Sequence, residues 1–256
     1  MIIDPVAFYL GPLAIRWYGI IISIAILLGL LISLNECKQR GINQEIILDY
    51  IIWAIPVAIV GARLYYVIFT LDNYHSFAEM FAIRDGGLAI HGAIIGGLIV
   101  IVFLSKIKSI SFWKIVDILS PGVILGQAIG RWGNFINQEA FGGKTSKEFM
   151  SYFPAFIRRQ MHINGAYRHP TFLYESIWNI IIFMFIIFIR KKDFIKTGDI
   201  FVIYLIGYSI GRFFIEGMRT DSLMLGSLRV AQLLSIVIII AGVFFVVYRH
   251  KNTCRN

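Results

Sequence analysis

Tyr208, Arg212, Glu216 and Arg219 step along the chain by four, four and three residues, the spacing that aligns side chains in one stripe on a helix. Ionisable groups inside an apolar helix cost roughly 2.5 kcal/mol or more each on insertion scales, so their placement is informative. One reading is an Arg212–Glu216 ion pair that only neutralises itself. Arg219 on the same stripe leaves a surplus positive charge, which points to an anionic guest. Arginine suits phosphate because its planar fork donates two parallel hydrogen bonds. The run from Gly130 to Gly142 is the densest feature, with Arg131, Asn134, Asn137, Gln138 and Glu139 inside nine residues. Its glycines permit tight turns and exposed backbone donors, so it reads as a phosphate or polyol cradle, or else as an interfacial helix cap with belt aromatics. His91 follows Asp85-Gly86-Gly87-Leu88-Ala89-Ile90 and precedes Gly92. It is either a satisfied structural group or a base that titrates near neutrality. His75, His162 and His250 have no comparable setting. No HExxH or His/Asp cluster occurs, so no metal is expected, and no GxSxG or Ser/His/Asp arrangement supports a serine acyl-enzyme.

The elements that must hold these groups follow from composition. The 256 residues are 58% hydrophobic and only 15% charged, against about half and a quarter in soluble domains. A soluble core cannot hide that much apolar surface, and disordered, collagen-like and coiled-coil readings fail on composition and period. The net charge of +9 suits anionic lipid head groups. It does not suit nucleic acid, because the charges are split among short loops. Cys37 and Cys254 are isolated, so neither a disulfide framework nor a CxxC pair is present. Met1–Pro5 lacks a basic n-region, so the first apolar segment is expected to be retained.

The expectation is an all-α polytopic membrane protein, one integral membrane domain over residues 1–256. Seven spans are expected near 17–35, 50–71, 86–105, 115–130, 170–189, 200–218 and 230–248, each about as long as a bilayer requires. The fourth is short and begins with Asp117. One set of connecting segments holds 12 Lys or Arg; the other holds 10, of which six lie in the long segment 131–169. Long loops count little in the positive-inside rule, and without that segment the tally of 12 against 4 places the N-terminus outside and the C-terminus in the cytoplasm. Segment 72–85, with Phe77, Met80 and Phe81 at helical spacing, is expected along the outer interface. The insertion 131–169 is expected to form a small extracytoplasmic arm, with Asn164-Gly165 as a hairpin turn between Arg158–Ile163 and Ala166–His169. Gly92/Gly96, Gly126/Gly130 and Gly207/Gly211 are GxxxG pairs that let helices pack closely. In this orientation Tyr18, Arg63, His91, Arg131, His169, Glu175, Arg212, Glu216 and Arg219 all fall in the outer half, which implies one polar site opening outward.

These residues carry a resemblance. Gly130-Arg131-Trp132-Gly133-Asn134-Phe135-Ile136-Asn137-Gln138-Glu139 resembles the signature of the bacterial prolipoprotein diacylglyceryl transferases. Ile15-Arg16-Trp17-Tyr18-Gly19, Gly61-Ala62-Arg63, Gly87-Leu88-Ala89-Ile90-His91-Gly92, His169-Pro170-Thr171 with Leu173-Tyr174-Glu175, and Gly211-Arg212-Phe213-Phe214-Ile215-Glu216 match in order along nearly the whole chain. Glu216-Gly217-Met218-Arg219-Thr220-Asp221 is similar to the Gram-positive form, and Phe172 stands where many members have Gln. The resemblance implies transfer of the diacylglyceryl group of phosphatidylglycerol to the lipobox cysteine thiol of a prolipoprotein in the bacterial cell membrane. A thioether forms, glycerol 1-phosphate leaves, and no cofactor is needed. The nucleophilic sulfur would belong to the substrate. Together, residues and resemblance assign Arg131 and Arg212 to the phosphate, with Glu216 orienting Arg212. Asn134, Asn137 and Glu139 shape the glycerol-phosphate pocket, and Tyr18 and Tyr208 line it. His91 is the favoured general base, with His169 the weaker candidate. Arg63 and Arg219 are secondary charges, and the enzyme is expected to act as a monomer. A transporter or receptor for an anionic lipid or solute is the alternative, but a transporter should show repeated or broken helices at the midplane.

Overall fold

The structure, a computed structural model, describes residues 2–74, 76–81 and 86–253; His75, Arg84, Asp85, Cys254 and Arg255 lie outside the described residues. In chain order the elements are β1 (Val6–Leu10), β2 (Leu13–Arg16), α1 (Trp17–Gln39), α2 (Gln44–Phe69), α3 (Phe77–Met80), α4 (Ile90–Ile107), α5 (Phe112–Asn137), α6 (Lys147–Ser151), α7 (Ala155–Gln160), β3 (His162–Ile163), β4 (Ala166–Tyr167), α8 (Thr171–Ile189), α9 (Asp199–Glu216), β5 (Met224–Leu225), β6 (Leu228–Arg229) and α10 (Val230–Thr253). Among the described residues the strands form three antiparallel hairpins. Among the described residues six helices, α1, α2, α4, α5, α8 and α10, are long and apolar enough to cross a membrane. The 18-residue α9 carries Asp199, Arg212 and Glu216. Leu27, Ile99, Phe188 and Phe244 each leave more than half their surface open, which water would penalise and acyl chains would not. The chain is a polytopic helical membrane protein.

Two compact units divide it. In residues 33–118, α2 and α4 approach through glycines. A Cβ on Gly92 would lie 2.1 Å from the Gly61 carbonyl oxygen, and one on Gly96 2.6 Å from that of Val57. Tyr50 and Ser105 share a 3.0 Å hydrogen bond, and Lys108 pairs with Asp49. Asn43 caps α2 by accepting from Glu45 N, which starts the helix six residues before the expected 50.

The second unit joins residues up to 32 with those from 119 onward. Here α9 lies between α8 and α10, with Trp178 filling the space beside Gly211 and Ile206 that beside Gly242. The fourth span differs most from expectation, because α5 runs seven residues past 130, to Asn137. The segment that then leaves the helices packs Met150, Ile157, Met161 and Ile163 onto Phe135 and Phe172. The turn at Asn164-Gly165 is present, both residues having positive φ of 50° and 73°, as a two-residue hairpin needs. Its strands are only two residues long, since Arg158–Gln160 are helical rather than extended.

Candidate functional site

Glu175 is the centre of the site. It lies one turn inside α8, is only 4% exposed, and is approached by three arginines from other parts of the unit. Arg131 of α5 puts Nη2 at 2.8 Å from its Oε2. Arg212 of α9 and Arg219 beyond it put Nη1 at 3.5 and 3.9 Å from its Oε1. Glu216 receives Arg212 Nη2 at 2.6 Å and has Arg219 Nε at 4.0 Å. The i,i+4 pair foreseen on α9 is therefore present, but within a network that joins three helical segments.

Asp221 alters the charge balance. Arg219 grips it with Nε at 2.9 Å and Nη2 at 2.7 Å, so the surplus charge expected from Arg219 has a partner that the stripe did not include. The Arg219 bond and its charge hold the Asp221 carboxyl below its ordinary range, against some burial. Burial alone would push the Arg219 guanidinium down; Asp221, Glu175 and Glu216 more than offset it and hold it up. Counted with Asp221 the cluster is neutral. Asp221 is half-exposed and compensates through water, however, whereas Glu175 and Glu216 act in a drier medium where charges are felt more strongly. Arg212 Nη1 is buried and, apart from its 3.5 Å ion-pair contact with Glu175, makes no hydrogen bond among the described residues.

The end of α5 supplies the neighbouring polar groups. Asn134 Nδ2 donates to Glu139 Oε1 at 2.7 Å, and its Oδ1 faces Arg131 Nη1 at 3.5 Å. Asn137 Oδ1 is buried without a hydrogen-bond partner among the described residues. Buried Gln160 fixes this end by donating to the Ile136 and Phe135 carbonyls at 2.9 and 3.4 Å and accepting from Ile3 N. Two Trp132 contacts steady the other side, a bond to Ser176 Oγ at 3.3 Å and ring packing on Phe172. The expected turn-forming role of Gly130 and Gly133 is corrected, since both are helical. Gly133 instead makes room for Tyr18, whose ring would lie 2.6 Å from an added Cβ. Gly142 is the tight crossing. It bridges to Arg219, donates to His169 O at 3.0 Å, and would drive a Cβ to 2.7 Å from that of His169. The segment after α5 is thereby sewn to the start of α8 and the end of α9.

The remaining candidates are placed differently. Tyr208 stacks near Tyr204, ring centres 6.3 Å apart, one turn from Arg212. His169 Nδ1 lies 3.3 Å from the Tyr174 hydroxyl, and its ring packs on Phe149. Arg63 and His91 belong to the unit of residues 33–118. His91 is exposed in the first turn of α4 and stacks on Tyr65 at 5.7 Å. Arg63 is buried, and its donors are engaged by the carbonyls of Glu79, Met80, Gly86 and Gly87 at 2.7–3.1 Å. It anchors that loop rather than standing as a free second charge. Sequence reasoning counted Glu175 among the polar groups of the outer half but gave it no role, and it left Asp221 out of the site. Glu175 was detectable as the sole charge in its span, and Asp221 as the acid two residues beyond Arg219.

Comparison with known proteins bears on this geometry. Residues 5–248 match the family model of the prolipoprotein diacylglyceryl transferases. A phosphatidylglycerol–prolipoprotein diacylglyceryl transferase of Listeria innocua is 50% identical over 96% of this chain and 90% of its own length. That of Oceanobacillus iheyensis is 50% identical over 98% of this chain and 89% of its own. One from Clostridium botulinum is 53% identical over 95% of this chain and 96% of its own.

Proposed function

The chain belongs to the prolipoprotein diacylglyceryl transferase family, and we propose that the cluster of Arg131, Glu175, Arg212, Glu216 and Arg219 is where its reaction takes place. The protein is a membrane-embedded transferase: it moves the diacylglyceryl group of phosphatidylglycerol to a prolipoprotein. The peptide thiolate attacks the glyceryl carbon that bears the phosphate oxygen. A C–S bond forms, the C–O bond breaks, and glycerol 1-phosphate leaves. A diester with one negative charge becomes a monoester with nearly two, so charge grows on the departing phosphate. Donors fixed in a dry site stabilise such charge more than they stabilise the ground state. The observation that carries the assignment is the buried Arg212 Nη1, which has a long ion-pair contact with Glu175 but no hydrogen bond among the described residues, beside the Arg131–Glu175 contact. Glu175 and Glu216 hold the arginines apart from one another and ready. Asn134, Glu139 and the unpartnered Asn137 Oδ1 suit the hydroxyls of the glycerol head group, and Tyr18 closes the wall.

The base is His91 by its chemistry, since the thiol, with a pKa of about 8.5, must lose its proton; His169 is the second candidate. The seven-span reading takes α9 as a span in spite of its charges, because these pair among themselves. With an odd number of spans and basic loops on one side, the N-terminus lies outside and the C-terminus in the cytoplasm. The site then opens at the outer leaflet, beside an extracytoplasmic arm within the insertion 131–169, and the enzyme works as a monomer. Purified protein, phosphatidylglycerol and a lipobox peptide test the assignment. Peptide mass should rise by one diacylglyceryl group, and a serine in place of the peptide cysteine should prevent it. Arg131→Gln or Arg212→Gln should stop transfer, and near-wild-type turnover in either would remove the phosphate role.

A further inference from the structure

One helical turn below the arginine–carboxylate cluster, each of its three helices carries a second polar group. Gln127 precedes Arg131 by four residues on α5, Asn179 follows Glu175 by four on α8, and Tyr208 and Tyr204 precede Arg212 by four and eight on α9. Four residues keep a side chain on the same helix face and move it about 6 Å along the axis. Because α8 begins where α5 and α9 end, all these steps run the same way, deeper between the helices. The tier is not self-sufficient. Asn179 is 2% exposed, yet among the described residues its Nδ2 has no hydrogen-bond partner, and neither has the buried Oε1 of Gln127. Gln127 Nε2 donates to the Tyr204 hydroxyl at 3.1 Å, which leaves the hydroxyl hydrogen without an acceptor among the described residues. Turning the amide over lets Tyr204 donate to Gln127 and frees the Gln127 NH2 instead. Either way, donors remain unsatisfied in a dry interior, where each is costly.

We propose that this tier receives the acyl ester carbonyls of the lipid, an inference that rests on the arginines holding its phosphate. Ester carbonyls accept hydrogen bonds and donate none, which matches a tier with donors to spare. They lie a few bonds deeper in the membrane than the phosphate, as the tier lies one to two turns deeper than the arginines. Anchored at both heights, the glyceryl carbon that changes partners is held in line with the departing oxygen. Gln127, Asn179 and Tyr204 are thus lipid-binding residues that select a diester over other phosphoglycerol lipids.

The test compares diester phosphatidylglycerol with its chain-matched diether analogue, which keeps the phosphate and lacks both carbonyls. Wild-type kcat/KM should fall about tenfold on the diether, the value of one lost hydrogen bond. Asn179→Leu and Tyr204→Phe should fall about as far on the diester and lose nothing more on the diether. Wild-type protein indifferent to the change, or variants that still discriminate, or variants reduced equally on both lipids while still discriminating, would overturn the proposal. Should Asn179→Leu fail to fold, Tyr204→Phe, which keeps the ring, decides alone. Full activity in Arg131→Gln would instead sink the underlying phosphate assignment, so the two failures are distinguishable.

Discussion

Arg63 and Arg212 both interrupt apolar helices and look alike in the sequence, but their surroundings separate them. Arg63 is ringed by neutral backbone carbonyls from Glu79, Met80, Gly86 and Gly87, and it fixes the loop before α4. Arg212 faces carboxylates and keeps a buried donor that makes no hydrogen bond among the described residues. Carbonyls of a folded loop cannot be exchanged for a substrate without unfolding the loop. A carboxylate contact at 3.5 Å can yield to a phosphate. The type of partner, rather than the depth of the charge, tells an arginine that builds from an arginine that binds.

The contrast breaks most visibly in the binding region. Arg212→Gln should lower transfer by about 10²–10³-fold, the range for a lost transition-state donor, with helical content unchanged by circular dichroism. Arg63→Gln should do the opposite. Its loop loses several charge-assisted bonds, worth about 3 kcal/mol together after relaxation, so the melting temperature falls while turnover per folded molecule stays near wild type. A stable but inactive Arg63→Gln would erase the distinction. His91→Gln should cost about 10²-fold below the thiol pKa and recover at higher pH, where the thiolate forms unaided. An unaltered pH–rate profile would take His91 out of the chemistry. Gly133→Ala forces the Tyr18 ring aside and should cost about 1–3 kcal/mol of stability, measured by thermal unfolding. The smallest effect belongs to Asp221→Asn. Asp221 is half-exposed, so its pair with Arg219 is worth about 0–1 kcal/mol. Its carboxyl is held low in the fold. That stabilisation is therefore complete above the unfolded value of about 3.9 and disappears as pH falls through the folded one. Wild type and variant should differ at neutral pH and converge in acid.

Much of this was legible in the chain. The apolar runs announced the helices, and the four-residue spacing on α9 announced the Arg212–Glu216 pair. Asn164-Gly165 announced its turn, because few other dipeptides accept positive φ at both positions. The continuation of α5 to Asn137 was hidden by Gly130 and Gly133, which resemble loop residues until Tyr18 is seen to occupy the missing side chain. The convergence on Glu175 was hidden for a different reason. Residues 131, 175, 212 and 219 meet only when three helical segments are assembled, and local periodicity carries no information about that. The hairpin of β1 and β2 was missed as well, since its apolar residues merge into the first span.

The most direct test is Glu175→Gln, because it keeps the shape of the hub and removes the charge on which the three arginines converge. Peptide mass and released glycerol phosphate should be followed together, in the same detergent, for wild type and variant. The expected result is one glycerol phosphate per modified peptide for wild type, and transfer reduced at least about 10²-fold in a variant that remains folded. Transfer by Glu175→Gln at the wild-type rate would contradict the account, since the arginines would then need no buried carboxylate to hold them for the phosphate.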